Sequence, residues 1–131
     1  MEEQDRQTLI ALYLGKSEEA LYDAETSFTN HRFSNSANRL YYALFYAVSA
    51  LFVKDGIAIG THAGAKAKFG EHYIKTGIFP AEQGRIFSQM ATLREKSDYN
   101  CFYQVTEEEM AEKLPKVKAL IEEIVGKTDT K

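Results

Sequence analysis

Two arginines, a histidine, a carboxylate and several tyrosines are the residues of this 131-residue sequence whose types and spacing could do chemistry. Arg94 and Asp98 are four residues apart in a segment of helical composition, so their side chains would meet on one face. A surface ion pair of this kind contributes only about half a kcal/mol. The pattern alone therefore favours a structural pair, although the planar guanidinium of Arg94 is also suited to holding a phosphate.

A second arginine, Arg39, precedes Tyr42 and Tyr46 by three and seven residues, which places all three on one helical face. We predict that this face looks toward Arg94 and Asp98. The alternative is that Arg39 pairs with Asp98 or with a carboxylate of the first helix and only fixes the helix register.

The tyrosines of this segment are expected, first, to fill the core or an interface, because a tyrosine buries a large area and needs one hydroxyl partner. A dimer surface formed partly by Tyr41, Tyr42 and Tyr46 would bring two copies of Arg94 together.

The histidine best placed for proton transfer is His62, which follows Thr61 at the predicted start of a helix and precedes Lys66 and Lys68. There it could face a phosphate held by Arg94 and Arg39. The alternative is that it caps its own helix or forms a hydrogen bond across the bundle. His31 is predicted in a turn and His72 on the surface. The histidines have no paired ligand spacing, so we predict neither a metal site nor a cofactor.

Charge and cysteine content narrow the class of protein. The net charge of −3 argues against broad electrostatic binding of nucleic acid, yet residues 30–105 carry nine basic against five acidic side chains. This middle part could hold an anion site, although solvated acidic terminal helices explain the asymmetry equally simply. A single cysteine, Cys101, and an acidic N-terminal segment that leads into no apolar stretch predict a cytoplasmic protein.

The elements that must position these residues are helices, and no convincing strand pattern is present. Residues Leu40 to Val53 contain no charge, which predicts a buried central helix too short to span a bilayer. Amphipathic patterns predict a first helix at about 5–28, a short third helix ending near 75, a fourth from Pro80 to about 98, and a last one after the capping box Thr106–Glu109. We predict an all-α, up-and-down bundle of about five helices within one domain, residues 1–126, followed by a polar tail, 127–131.

Three helix boundaries follow from single residues. Ser34, Asn35 or Ser36 is expected to cap the central helix, and Gly56 to end it. Pro115 lies inside the last helical pattern and predicts a kink or break.

Read together, these segments resemble a known family. Asn38-Arg39-Leu40-Tyr41-Tyr42-Ala43-Leu44-Phe45-Tyr46-Ala47, then Thr61-His62-Ala63-Gly64 with Phe69, then Arg94-x-x-x-Asp98-Tyr99, are similar to the HEPN domain, in particular to its small stand-alone prokaryotic members. The resemblance implies an α-helical bundle, usually a homodimer, often encoded beside a minimal nucleotidyltransferase as a toxin and antitoxin pair.

Many HEPN proteins are metal-independent endoribonucleases with an arginine followed, after four to six residues, by a histidine. The resemblance makes Arg94 the family arginine, but positions 99–101 are Tyr99, Asn100 and Cys101. We therefore name Arg94, Tyr99 and His62 as candidate catalytic residues, and Arg39, Tyr42, His62, Arg94, Asp98 and Tyr99 as candidate ligand-binding residues. Tyr99 joins Arg94 only if the helix loosens at its end, because the two are rotated by about 140° on an ideal helix.

Three functions remain open. The first is a protein that binds a nucleotide or an RNA phosphate and is the toxin-like partner of a minimal nucleotidyltransferase. The second is a metal-independent endoribonuclease with a degenerate motif, and the third is a non-catalytic helical dimerisation or interaction module.

Overall fold

The computed structural model describes residues 1–128 and contains five α-helices with no strand in that range. They are α1 (Glu3–Thr29), α2 (Phe33–Asp55), α3 (His62–Phe69), α4 (Ala81–Tyr99) and α5 (Glu107–Thr128). A π-helical turn, Gly70–Ile74, continues α3. The predicted all-α bundle of five helices is confirmed.

Helix α2 is the centre of the bundle and packs against α1, α3, α4 and α5. Its predicted apolar segment is buried over most of its length, and Leu40, Leu44 and Val48 are fully buried. Each such side chain stabilises the fold by about 1.5–3 kcal/mol relative to an exposed one. Only three rings of this segment are half-buried rather than buried: Tyr42, Phe45 and Tyr46.

Two buried serines join α1 to α2. The Ser17 hydroxyl donates to the Ala43 carbonyl at 2.6 Å, and the Ser36 hydroxyl donates to the Ala24 carbonyl at 2.8 Å. Both bonds need the two backbones to lie close, which the small side chain of the buried Ala20 permits. The α1–α2 hairpin is therefore a fixed platform for the side chains of α2.

Side-chain capping of α2 is where one prediction is wrong. The helix begins at Phe33, and its cap residue, Arg32, makes no side-chain capping bond. Asn35 instead donates to the Ser27 hydroxyl at 2.7 Å, and Ser36 is used by α1 as described above. Tertiary hydrogen bonds thus took the polar groups that a local reading assigned to the helix end.

The other helix ends follow local chemistry. Gly56 closes α2 with φ of 72°, a left-handed conformation that disfavours any residue with a Cβ. The Thr61 hydroxyl accepts from the Gly64 amide and so caps α3. Thr106 and Glu109 form the predicted capping box, each side chain accepting the other's backbone N–H. Pro80 is the cap residue of α4, one position before its predicted place.

Pro115 does not break α5, which runs without interruption to Thr128. Proline removes one ladder bond, to the carbonyl of Ala111, and both residues are exposed, so water can take over that acceptor. Apolar residues on both sides of the proline keep the helix on the core. The helix passes the predicted domain boundary at Gly126 by two residues, and positions 129–131 of the predicted polar tail lie outside the described residues. Within residues 1–128, no helix is long and apolar enough to cross a membrane.

Candidate functional site

Arg94 is a buried cation on the inner face of α4, with only 8% of its surface exposed. Its Nη1 donates to Asp98 Oδ2 at 3.2 Å, the predicted ion pair. Its guanidinium carbon lies 4.9 Å from the ring centre of Tyr41 and 5.9 Å from that of Tyr42. Its Nε is buried and has no hydrogen-bond partner within residues 1–128. An unpaired buried donor costs about 1–3 kcal/mol, so it is not what a purely structural arginine would show.

The ring of Tyr42 also carries the second arginine. The guanidinium carbon of Arg39 lies 5.2 Å from the Tyr42 ring centre, so two cations share one ring. Arg39 forms no ion pair within 4 Å in the described part of the chain. It donates instead to Asn38 Oδ1, from Nε at 3.0 Å and from an Nη at 2.8 Å. The alternative in which Arg39 pairs with Asp98 or with a carboxylate of α1 is therefore not realised.

Asn38 is a site residue that sequence reasoning missed. Besides accepting from Arg39, its amide nitrogen lies 3.5 Å from Asp98 Oδ2. It thus connects Arg39 with the Arg94–Asp98 pair across α2 and α4. The available signal was its place directly before Arg39 in the helix, next to a residue already chosen, but nothing in the sequence showed that α4 would lie opposite.

His62, at the first position of α3, lies in the same cluster. Its Nδ1 is 2.9 Å from the Tyr41 hydroxyl, and its ring centre is 4.5 Å from that of Phe45. Burial, together with the positive charge of Arg94, lowers the pKa of His62. Burial also raises the pKa of Tyr41 to about 12, although Arg94 acts in the opposite direction. At neutral pH the pair is therefore an uncharged imidazole and a protonated phenol. The hydrogen bond across the bundle that was one reading of His62 is present, and the ring nevertheless neighbours Arg94.

Tyr99 approaches this cluster from the surface, where α4 ends. It is 79% exposed. Burial alone would lower the pKa of Arg94, but a hydrogen bond with Tyr99 and the charges and dipoles of Tyr42, Tyr41 and Asp98 raise it above its ordinary value. Arg94 therefore remains a cation at every pH at which the fold exists.

Several other predicted groups lie away from Arg94. Lys68 donates to the Ala58 carbonyl at 2.7 Å and so fixes the loop before α3. His31 lies in the α1–α2 turn with φ of 59°, and His72 is exposed, both as predicted. Tyr41 is 1% exposed, so it belongs to the core rather than to a dimer surface.

A polar cleft of about 840 Å³ opens beside the cluster, between the α1–α2 turn and the end of α4. Asn38 and Asp98 form the wall that it shares with the cluster. The neighbouring α4–α5 loop carries Phe102, which is 94% exposed. The site thus has open space next to its two arginines.

The arrangement can bind an anion, and it offers one group for proton transfer. The cluster itself contains two guanidiniums, and one of its arginines has no carboxylate partner. No group of three histidine, cysteine, aspartate or glutamate side chains within residues 1–128 is arranged to hold a metal ion.

Comparison with known proteins identifies the family. The HEPN domain model matches residues 10–128. A "UPF0332 protein" of Thermotoga maritima is 31% identical over 120 residues, which cover 92% of this chain and 91% of the relative. "Putative toxin MJ0605" of Methanocaldococcus jannaschii is 32% identical over 83 residues, covering 63% of this chain and 62% of the relative. Because the family model covers nearly the whole chain and the helical bundle agrees with it, this chain belongs to the HEPN domain family.

Proposed function

We propose that this HEPN protein binds the phosphate of a nucleotide or of RNA at Arg94 and Arg39. One observation carries the proposal: Arg94 is buried against two tyrosine rings while its Nε lacks a partner. A buried guanidinium that is not fully paired within its own chain is poised to pair with an added anion, and arginine suits the geometry of phosphate. Arg39, free of any carboxylate partner in the described residues, adds a second cation.

Candidate ligand contacts extend around this pair of cations. Tyr42 supports both guanidiniums, Asp98 and Asn38 orient them, and His62 and Tyr99 flank them. Asp98 competes with the ligand for Arg94, so the ligand must displace or share that carboxylate. Binding is therefore expected to be moderate for one phosphate and to strengthen with a second.

Titration calorimetry with a mononucleotide panel and a short single-stranded RNA tests this function. We expect binding by the unmodified chain, a loss of at least about tenfold in Arg94→Met and a smaller loss in Arg39→Gln. Arg85→Gln is the matched control, because Arg85 is exposed on the same helix α4. Equal affinity of the Arg94 and Arg85 variants would refute the proposed site.

The biological role we propose is that of a toxin-like partner of a minimal nucleotidyltransferase, in a homodimer. The relatives from Methanocaldococcus jannaschii carry the word toxin in their names, which supports the first part. The exposed Tyr99 and Phe102 supply apolar surface for a protein contact. Growth arrest on expression, relieved by co-expressing the neighbouring nucleotidyltransferase, is the expected result. Light scattering at two protein concentrations measures the homodimer. A chain that dimerises but binds no nucleotide and arrests no growth would instead be an interaction module.

A metal-independent endoribonuclease is the second candidate, and His62 is the observation that favours it. A neutral imidazole beside Arg94 can accept the proton of an RNA 2′-hydroxyl, a task that no residue at 99–101 performs near neutral pH. Single-stranded RNA incubated with EDTA should then be cut by the unmodified chain and by neither Arg94→Met nor His62→Gln. Cleavage retained in both variants would exclude this chemistry.

A further inference from the structure

A line of three half-buried tyrosine rings leads away from the arginines across the α1–α2 surface. Tyr42 on α2 lies 6.0 Å from Tyr46, measured between ring centres, and Tyr46 lies 6.4 Å from Tyr13 on α1. Each ring is neither fully buried nor fully exposed. We call these three rings the tyrosine track.

Cations accompany the track along its length. Lys16 places its Nζ 5.6 Å from the Tyr46 ring centre, and the two arginines lie over Tyr42 as described above. Rings that accept stacking, alternating with cations, are the surface that proteins present to single-stranded nucleic acid. Cations that only supported the rings would have no reason to be unpaired, and Lys16 forms no ion pair within 4 Å in residues 1–128.

We infer that the tyrosine track is a binding subsite for a single-stranded RNA, whose bases contact Tyr13 and Tyr46 while one phosphate lies at Arg94 and Arg39. The inference rests on the proposed function, which it deepens by selecting a strand of several nucleotides over a mononucleotide. A strand brings bases and phosphates in alternation, and so complements both the rings and the cations.

Two carboxylates oppose this charge and limit how such a strand is held. Glu19 and Asp23 line a small cavity of about 130 Å³ together with Lys16, Arg39 and Tyr46. Stacking therefore has to supply more of the affinity than phosphate contacts do. With at most three cations engaged, the logarithm of affinity should fall with the logarithm of salt concentration with a slope of about −2 or shallower.

Fluorescence anisotropy with a labelled octauridylate carrying 2′-fluoro groups, which block cleavage through the 2′-hydroxyl, tests the track against uridine monophosphate as competitor. We expect the octamer to bind at least about tenfold more tightly than the monophosphate. Tyr46→Leu and Lys16→Gln should weaken octamer binding, the former by roughly fivefold or more, and leave monophosphate binding unchanged. Tyr22→Leu, an exposed tyrosine of α1 in no ring contact with the track, is the matched control. Thermal melts show that each variant is folded.

The outcomes separate the track from the proposed function. If the monophosphate binds through Arg94 but the octamer binds no better, the track is wrong and the phosphate site stands. If neither ligand binds, the phosphate site itself fails. If Tyr46→Leu changes the mass measured by light scattering and not the octamer affinity, the track contacts a second copy of the chain, and the RNA subsite is overturned.

Discussion

Replacing Arg94 by methionine should remove ligand binding while leaving stability almost unchanged. Methionine has an unbranched side chain close to the arginine stem in length, so it can occupy most of the space between Tyr41 and Tyr42 without leaving a large cavity. It carries no N–H to leave unpaired. The substitution therefore separates what Arg94 does for the fold from what it does for a ligand.

The expected change in the free energy of unfolding is a difference of similar terms. The lost ion pair with Asp98, whose side chain is 30% exposed, contributes about 0.5–1 kcal/mol after allowance for solvent screening. The lost cation–π contacts with two rings contribute about 1–2 kcal/mol. Removing the unpaired buried Nε returns about 1–3 kcal/mol. The net change is within about 1 kcal/mol of zero, or about 4 °C in Tm for a chain of this size.

Urea denaturation followed by circular dichroism measures this free energy, and calorimetry on the same samples measures nucleotide binding. Arg85→Met controls for placing a methionine on α4. A loss of more than about 3 kcal/mol with ligand binding retained would show that Arg94 is a structural residue, and the reasoning from its unpaired Nε would be refuted.

Three further predictions concern the surroundings of the site. Because the folded state lowers the pKa of His62 below the ordinary value of 6.5, its neutral form stabilises the fold above that pH and the contribution is lost as pH falls; Tm should drop between pH 7.5 and 5.5 less in His62→Gln than in the unmodified chain. Thr106→Ala removes half of the capping box with Glu109 and should cost about 1 kcal/mol in urea denaturation, whereas an unchanged midpoint would contradict that role. Tyr73→Phe deletes the hydrogen bond at 2.6 Å to Asp55 and should cost about 1 kcal/mol by the same method, and a gain in stability would show that the bond contributes nothing.

Much of the fold could be predicted because local rules decide it. The uncharged run 40–53, Gly56 in the left-handed region and the Thr106–Glu109 capping box each act within a few residues. Pro115 shows the limit of such rules, since apolar packing on both sides of it keeps α5 continuous. Ser36 shows another limit, because a buried carbonyl of α1 competes for its hydroxyl.

The candidate site was predictable to the extent that its residues share a helix. Arg39 with Tyr42, and Arg94 with Asp98, follow from helical spacing alone. The links between helices do not, and Asn38 was missed because its contact with Asp98 depends on how α2 and α4 pack. The ring order Tyr42, Tyr46, Tyr13 likewise joins two helices and has no sequence signal of its own.

The central claim is that Arg94 meets the ligand, and its own Nε–H resonance in a nitrogen-15 NMR spectrum tests this most directly. Adding uridine monophosphate should shift that resonance in a saturable way, with the Nε–H of Arg85 unchanged as an internal reference. A saturating ligand that leaves the Arg94 resonance in place, while other signals move, would contradict the claim.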